Sequence, residues 1–362
     1  MDNFTGTRPV AASHAFDAAS LQRYLEARLA GFEGPLEIDQ FKGGQSNPTY
    51  RLVTPGRTLV MRTKPGPVAR LLPSAHAIER EFRVMNALGP TVVPVPRMLL
   101  LCEDESVIGR AFYVMEFVQG RVLWDQTLPG MTPAERSAIY DEMNRVIALL
   151  HTVDPEAAGL AGYGKPGNYF ERQIGRWSKQ YVASSMRSIA SMDALIDWLP
   201  KHIPPGARDD SRVSIVHGDF RLDNLVFHPT EPRVLAVLDW ELSTLGHPLA
   251  DFSYHCMSWH IPTTTSRGLG GADLAALGIP DEDSYVRRYC ERTGRDTPEA
   301  LAAVRRDWNF YIAYNLFRVA AILQGVAKRA EQGTASSAQA SQAGSRAGDL
   351  ADIGWQFAQR AG

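Results

Sequence analysis

Cysteine is scarce in this chain. Cys102, Cys256 and Cys290 show no paired spacing, which excludes a disulfide framework or a cysteine zinc knuckle and fits a reducing compartment. Long apolar runs are missing, so no membrane partner is expected. The first residues, with Asp2 and Asn3, lack a basic segment followed by an apolar core. No secretory signal is therefore read there, and a cytoplasmic location is expected. There is no excess of one charge: 38 Lys and Arg stand against 40 Asp and Glu, for a net charge of −2. That argues against a nucleic-acid partner held by bulk electrostatics. Internal repeats are also absent. What remains is 44% hydrophobic and 22% charged over 362 residues, an ordinary globular composition on a chain long enough for two lobes.

The densest chemistry lies at Val216-His217-Gly218-Asp219-Phe220-Arg221-Leu222-Asp223-Asn224, followed by Leu238-Asp239-Trp240-Glu241. Val213–Val216 is apolar and β-branched enough for a short strand. Leu225–Phe227 and Val234–Leu238 read as a hairpin around the proline-rich turn His228–Pro232. An antiparallel hairpin sets the start of its first strand beside the end of its second, which brings Asn224 to Asp239. One amide oxygen and one carboxylate then converge, a donor set that suits Mg²⁺. Asp219, on the preceding loop, is free to face a substrate hydroxyl.

Upstream, residues 1 to about 15 read as a loose tail, and Phe16–Leu29 has apolar residues at helical spacing. Leu36–Phe41 alternates like a strand. The turn Gly43-Gly44-Gln45-Ser46-Asn47-Pro48 leads into the hairpin strands Tyr50–Val53 and Thr58–Met61. A glycine-rich turn between strands lets backbone N–H groups approach phosphate, though a plain hairpin turn fits equally well. Arg62 and Lys64 share one face of the strand Leu59–Lys64. A helix is expected from Ser74 to Leu88, with a stripe of Ile78, Phe82, Met85 and Leu88. Glu81 falls roughly 45° from the centre of that stripe and Glu79 over 100° away. An inward Glu81 needs a cation, and Arg62 is the natural candidate; the competing reading is a surface carboxylate.

Val95–Cys102 and Phe112–Phe117 read as strands, and composition turns helical after Gly120. Thr132-Pro133-Ala134-Glu135 is a capping box with proline at the first helical position. The expected helix Tyr169–Ser184 sets Arg172, Arg176 and Lys179 beside Phe170, Trp177 and Tyr181. A solvated face with a core stripe is the commoner meaning of such a pattern; a basic, aromatic wall for a phosphate-bearing substrate is the sharper one. Gly246–Asp251 reads as a turn whose Asp251 is placed to hold the loop from below. Helices follow at Asp283–Thr293 and Thr297–Gly333, the second with Trp308, Tyr311, Tyr314, Asn315 and Arg318. Thr334–Gly344 is small and polar, a loop before a last helix.

His217-Gly218-Asp219 and Asn224, with four residues between Asp219 and Asn224, then Leu238-Asp239-Trp240-Glu241, resemble the aminoglycoside phosphotransferase and choline kinase branch of the protein-kinase-like fold. More narrowly, Gly43–Tyr50, Leu71–Glu81 and Tyr314-Asn315-Leu316-Phe317-Arg318 resemble the kinase-like half of acyl-CoA dehydrogenase family members 10 and 11 and free-standing bacterial relatives. The resemblance implies an α+β, bilobal chain. Its parts would be a tail and helix at 1–32, a nucleotide-binding N-lobe at 33–116, a hinge at 117–120, and a mostly helical C-lobe at 121–362.

It also implies an ATP-dependent kinase acting on a hydroxyl of a small molecule, with a hydroxyacyl-CoA among the candidates. Asp219 would be the base, and Asn224 and Asp239 would hold Mg²⁺ with help from Glu241. Arg62, fixed by Glu81, would bind phosphates, as in choline kinases, with Lys64 on the same face as its rival. Gly43, Gly44, Ser46 and Asn47 would cradle the phosphates, and the Glu116–Val118 backbone would pair with adenine. Arg172, Arg176, Trp177, Asn315 and Arg318 are the candidate substrate wall. An acyl-CoA dehydrogenase-type enzyme in the same pathway is an implied partner. Two alternatives stay open: a nucleotide-binding pseudokinase or regulatory module, and an aminoglycoside- or choline-type kinase. A metallohydrolase built on His217, Asp219 and His255 or His260 lacks helical metal spacing.

Overall fold

The computed structural model describes residues 6–42, 47–65, 77–165, 167–185, 188–208, 213–265, 267–332 and 343–361. Its strands are β1 (Thr7–Arg8), β2 (Glu37–Phe41), β3 (Thr49–Val53), β4 (Thr58–Thr63), β5 (Met98–Cys102), β6 (Phe112–Glu116), β7 (Arg121–Val122), β8 (Ser214–Val216), β9 (Leu225–Phe227), β10 (Val234–Val237) and β11 (Thr244–Gly246). Its helices are α1 (Ala18–Arg28), α2 (Ile78–Leu88), α3 (Pro133–Thr152), α4 (Tyr169–Ser184), α5 (Ala190–Trp198), α6 (Pro248–Cys256), α7 (Leu274–Leu277), α8 (Glu282–Arg292), α9 (Pro298–Glu331) and α10 (Ala343–Arg360). The chain divides into two units, Met1–Val122 with Asn224–Ser243, and Leu123–Asp223 with Thr244–Gly362. Residues 224–243, expected from sequence within 121–362, cluster with the first unit.

The first unit is built on an antiparallel sheet in the order β1-β2-β3-β4-β6-β5. Alternation along β4 sends Leu59 and Met61 to one side, where they join Leu21, Leu25, Tyr50, Leu52 and Phe112 beneath α1. Asp17 caps α1 by accepting the amides of Ala19 (2.9 Å) and Ser20 (3.0 Å). The other face carries α2, which packs on β5, β6 and the single turn Trp240–Leu242. β7, β9 and β10 form a second, three-stranded sheet. Gly120 precedes β7, and a Cβ there would lie 2.3 Å from the Phe227 carbonyl oxygen. Only glycine lets the strands approach so closely.

The expected loose tail is instead structured from Thr7. β1 pairs with β2, and the turn Ala12–His14 ends where the His14 carbonyl accepts Arg110 Nη2 (2.7 Å) and the Tyr50 hydroxyl (3.2 Å). A two-residue strand is too short to show alternation in sequence.

The second unit is mostly helical. α3 begins at the capping box, with Thr132 and Glu135 satisfying each other's backbone amides. α9 packs against α10, α4 and α6. By length and composition α9 could cross a bilayer, but 78% of its most apolar window is buried inside the protein, so it is a core helix. The expected turn Gly246–Asp251 is in fact β11 followed by α6, with Pro248 at the first helical position. Nine consecutive buried residues in α6 leave no amphipathic period to read. Ser74, the expected start of α2, and Thr334–Gln342 of the expected loop lie outside the described residues.

Candidate functional site

In the first unit, Arg62 and Lys64 leave the same face of β4 and take different partners. Arg62 is 7% exposed, and its Nε faces Glu81 Oε2 at 3.2 Å. Lys64 ion-pairs with Glu79, both half-buried. Glu81 is 1% exposed. Its Oε1 accepts Asn47 Nδ2 at 2.8 Å and its Oε2 accepts the Tyr113 hydroxyl at 3.2 Å. Burial pushes the Glu81 carboxyl up, and Arg62, Tyr113 and Asn47 work against that rise. Burial also works against the Arg62 charge, but Glu81, Asp239 and Glu241 overcome it and hold its pKa well above the ordinary value. Gly43, Gly44 and Ser46 lie outside the described residues; Asn47 is wholly buried against Glu81.

The β9–β10 hairpin pairs Leu225 with Val237, and Leu238 N–H donates to the Asn224 carbonyl at 2.8 Å. Asn224 and Asp239 therefore leave the same end of one ladder. Asp239 adopts φ 67°, ψ 62°, a left-handed conformation that costs on the order of 1 kcal/mol for a non-glycine residue. Trp240, fully buried, anchors the turn through Nε1 to the Val237 carbonyl at 2.9 Å. Arg62 Nη2 meets Asp239 Oδ1 at 2.8 Å and lies 3.7 Å from Glu241 Oε2. Two carboxylates and an amide oxygen are hard donors, which fit Mg²⁺ rather than a softer metal.

Glu116 ends β6 opposite Leu59, and its side chain pairs with the exposed Arg97. Val118 follows in the segment leading to Gly120 and β7. Between them Phe117 stacks on Phe41, with ring centroids 6.5 Å apart.

In the second unit, β8 delivers the loop at His217. Asp251 clamps that loop. Its Oδ2 accepts His217 N–H at 2.6 Å and its Oδ1 accepts Gly218 N–H at 2.8 Å. Gly218 has φ +82°, a conformation that admits glycine freely. His151 Nε2 lies 3.2 Å from Asp251 Oδ2, and its Nδ1 meets the Tyr289 hydroxyl at 2.7 Å. Burial raises the Asp251 carboxyl, but His151, His217 and the backbone amide outweigh it and leave it below the ordinary value. His217 Nδ1 accepts the Asp219 amide at 3.1 Å, so His217 braces the loop.

Asp219 accepts the Tyr254 hydroxyl and faces Arg221 Nε at 3.0 Å. Burial opposes its charge; Arg221, Tyr254 and His217 overcome that and hold its pKa below the usual carboxylate value. Asp223 sits between Arg221 and Arg267, each at 3.3 Å. Arg318 Nη2 donates to the Gly218 carbonyl at 2.5 Å.

Sequence reading missed Tyr254, Arg221, Arg267 and His151. Tyr254 could have been found had 248–256 been read as a helix, because it stands three residues after Asp251 and so on the same face.

The five candidate wall residues separate. Trp177 and Arg318 are buried and in contact, with Arg318 5.6 Å from the indole centroid, and Arg176 sits 5.0 Å from the same ring. Arg172 instead donates to the Lys165 carbonyl at 2.7 Å. Asn315 is wholly buried, and its Nδ2 is taken by Ala250 O, Ser253 Oγ and Tyr311 O. It ties α9 to α6 in the core rather than lining a wall.

Residues 37–303 match the model of a family described as the phosphotransferase enzyme family. The chain is 48% identical over 359 residues to acyl-CoA dehydrogenase family member 10 of Mus musculus, covering 98% of this chain but 32% of that protein. It thus spans about a third of that relative's length. A crystal structure from Ralstonia eutropha, provisionally assigned as an aminoglycoside phosphotransferase, is 63% identical with a TM-score of 0.84, covering 96% of this chain and 99% of that one. Aminoglycoside phosphotransferase APH(4)-Ia, in a ternary complex with AMP-PNP and hygromycin B, is 16% identical with a TM-score of 0.60, covering 94% and 99%. The fold is the protein-kinase-like one.

Proposed function

The chain belongs to the phosphotransferase enzyme family, and on that premise we propose that it moves the γ-phosphoryl group of ATP to a hydroxyl of a small molecule. The bond from the acceptor oxygen to phosphorus forms, the β–γ bridging bond breaks, and ADP leaves. Asp219, held ionised, orients the acceptor hydroxyl and accepts its proton. Asn224, Asp239 and Glu241 would hold Mg²⁺, which when bound neutralises charge on the transferring phosphoryl group. Arg62, oriented by Glu81, binds the phosphates from the protein side. Gly43, Gly44, Ser46 and Asn47 are the proposed phosphate-binding turn, and the Glu116–Val118 backbone is proposed to pair with adenine. The AMP-PNP held by the structural relative APH(4)-Ia supports ATP as donor.

The observation that carries this reading is the treatment of Asp219. Two amides fixed by Asp251 set its loop, and Tyr254 and Arg221 keep it an anion. A module that only binds nucleotide has no use for that arrangement. The acceptor class follows the relatives only in part: a hydroxyacyl-CoA is the reading suggested by the match to a portion of a dehydrogenase-named protein, and a dehydrogenase acting in the same pathway is the proposed partner. A cytoplasmic location is proposed with it.

Transfer is tested by ADP release from wild-type and Asp219→Asn protein over a panel of hydroxyacyl-CoAs and simpler alcohols. Loss of about 10²-fold or more is expected, and undiminished turnover would remove Asp219 from the mechanism. One observation favours a second reading, a regulatory nucleotide-binding module: Arg62 already neutralises Asp239. ATP binding with no phosphorylated alcohol across the panel would support that reading.

A further inference from the structure

Beside the Asp219 loop, two arginines gather on one indole. Arg318 lies 5.6 Å and Arg176 lies 5.0 Å from the Trp177 ring centroid. Arg318 also lies 5.0 Å from the ring of Tyr254, whose hydroxyl donates to Asp219. Carboxylates do not explain this gathering. Arg176 forms no ion pair among the described residues. Arg318 directs Nη2 to a carbonyl, and its buried Nε has no hydrogen-bond partner among the described residues. The indole Nε1 of Trp177, 4% exposed, is likewise unpartnered there. Burial and the nearby Arg318 charge together hold Arg176 below its ordinary pKa. One buried cation, a second at the surface and an unpartnered buried N–H donor beside the acceptor base make a surface suited to an added anion.

We propose that Arg176, Trp177 and Arg318 form a subsite for an oxyanion, phosphate or carboxylate, carried by the alcohol that Asp219 activates. This rests on the phosphotransferase reading and narrows its acceptor class. A cationic acceptor of the aminoglycoside or choline kind would meet two positive charges here. Arg318 keeps its second duty of holding Gly218, so Arg176 is the residue whose main role is specificity. Its exposed position on α4 makes Arg176→Gln compatible with folding.

The test uses the full chain and two matched acceptor pairs, glycerol 3-phosphate against glycerol and 4-hydroxybutyrate against 1,4-butanediol, with choline as the cationic probe. Mass spectrometry follows phosphorylated product, and ligand-observed NMR follows binding of the same compounds. The anionic member of at least one pair is expected to exceed its neutral partner about tenfold in kcat/KM. The pair that shows the preference identifies the oxyanion as phosphate or carboxylate. Arg176→Gln is expected to raise KM for the anion about tenfold with kcat little changed, and Arg176→Lys to restore much of it. Equal or better use of neutral or cationic acceptors, or an unchanged preference in Arg176→Gln, overturns the subsite. If no acceptor of any charge is phosphorylated, the phosphotransferase reading fails by itself, and NMR decides the subsite. Tighter binding of the anions that is lost in Arg176→Gln supports it; indifference to charge rejects it.

Discussion

Arg62 and Asp239 share a hydrogen bond of 2.8 Å, although 177 positions separate them in the chain. The same guanidinium faces Glu81 at 3.2 Å. One strand arginine thus ties the inward acid of α2 to an aspartate held in a left-handed turn.

Replacing Arg62 strands Glu81 in the core. Arg62→Met is expected to cost about 3–5 kcal/mol, because a buried carboxylate loses its counter-charge. Arg62→Met with Glu81→Leu should cost less than the sum of the single changes. Urea unfolding of the full double-mutant cycle checks this; additive losses would show that the pair is not coupled.

Asp251→Asn keeps the shape of the loop clamp but removes the charge that faces two amides and His151. The expected cost is about 2–4 kcal/mol of stability, together with a fall in kcat, since Asp219 rides on the clamped loop. Thermal unfolding and steady-state kinetics measure the two effects. A change in stability alone would detach the clamp from catalysis.

Tyr254 is a positioning residue for Asp219. Tyr254→Phe keeps the ring beside Arg318 and removes the hydroxyl donor. Without that donor the depressed pKa of Asp219 moves upward. The acid limb of the kcat/KM profile should therefore shift to higher pH, with kcat down roughly tenfold. A profile that superimposes on the wild type would contradict the assignment.

His255 supplies a pH dependence of folding. It is 3% exposed, with Nε2 on the Tyr285 hydroxyl at 2.8 Å. Burial pulls its pKa down to about 4, with Asp251 opposing weakly. Between the ordinary value of about 6.5 and that depressed value, the unfolded chain binds more protons at this site than the folded one. Stability is fully present above pH ~6.5 and falls with acidification towards pH ~4, by roughly 3 kcal/mol from this group. Urea midpoints at neutral and acid pH should show the slope, and His255→Gln should flatten it.

Much of this arrangement is legible in sequence, for reasons that differ by residue. Glu81 stands out because a carboxylate inside an apolar helical stripe must be buried, and it is. Asn224 and Asp239 follow from hairpin geometry, since the start of one strand and the end of its antiparallel partner lie side by side whatever else the fold does. The boundaries of α3 and α4 follow from a capping box and an amphipathic period. Tyr254 stays hidden because α6 is buried on every side and shows no period. His151 and Arg267 reach their acids across about 100 and 44 positions, and no local pattern encodes such meetings. Asn315 misleads because an amide in a long helix reads the same whether it faces a ligand or ties two helices together.

The most direct test of the account counts products. Purified protein, ATP and Mg²⁺ are incubated with the acceptor panel, and ADP and phosphorylated alcohol are quantified in the same sample by mass spectrometry. One phosphorylated alcohol for each ADP, abolished in Asp219→Asn and Asp239→Asn, is the predicted result. ATP that binds without any alcohol gaining a phosphoryl group, or ADP that appears with inorganic phosphate alone, would contradict it.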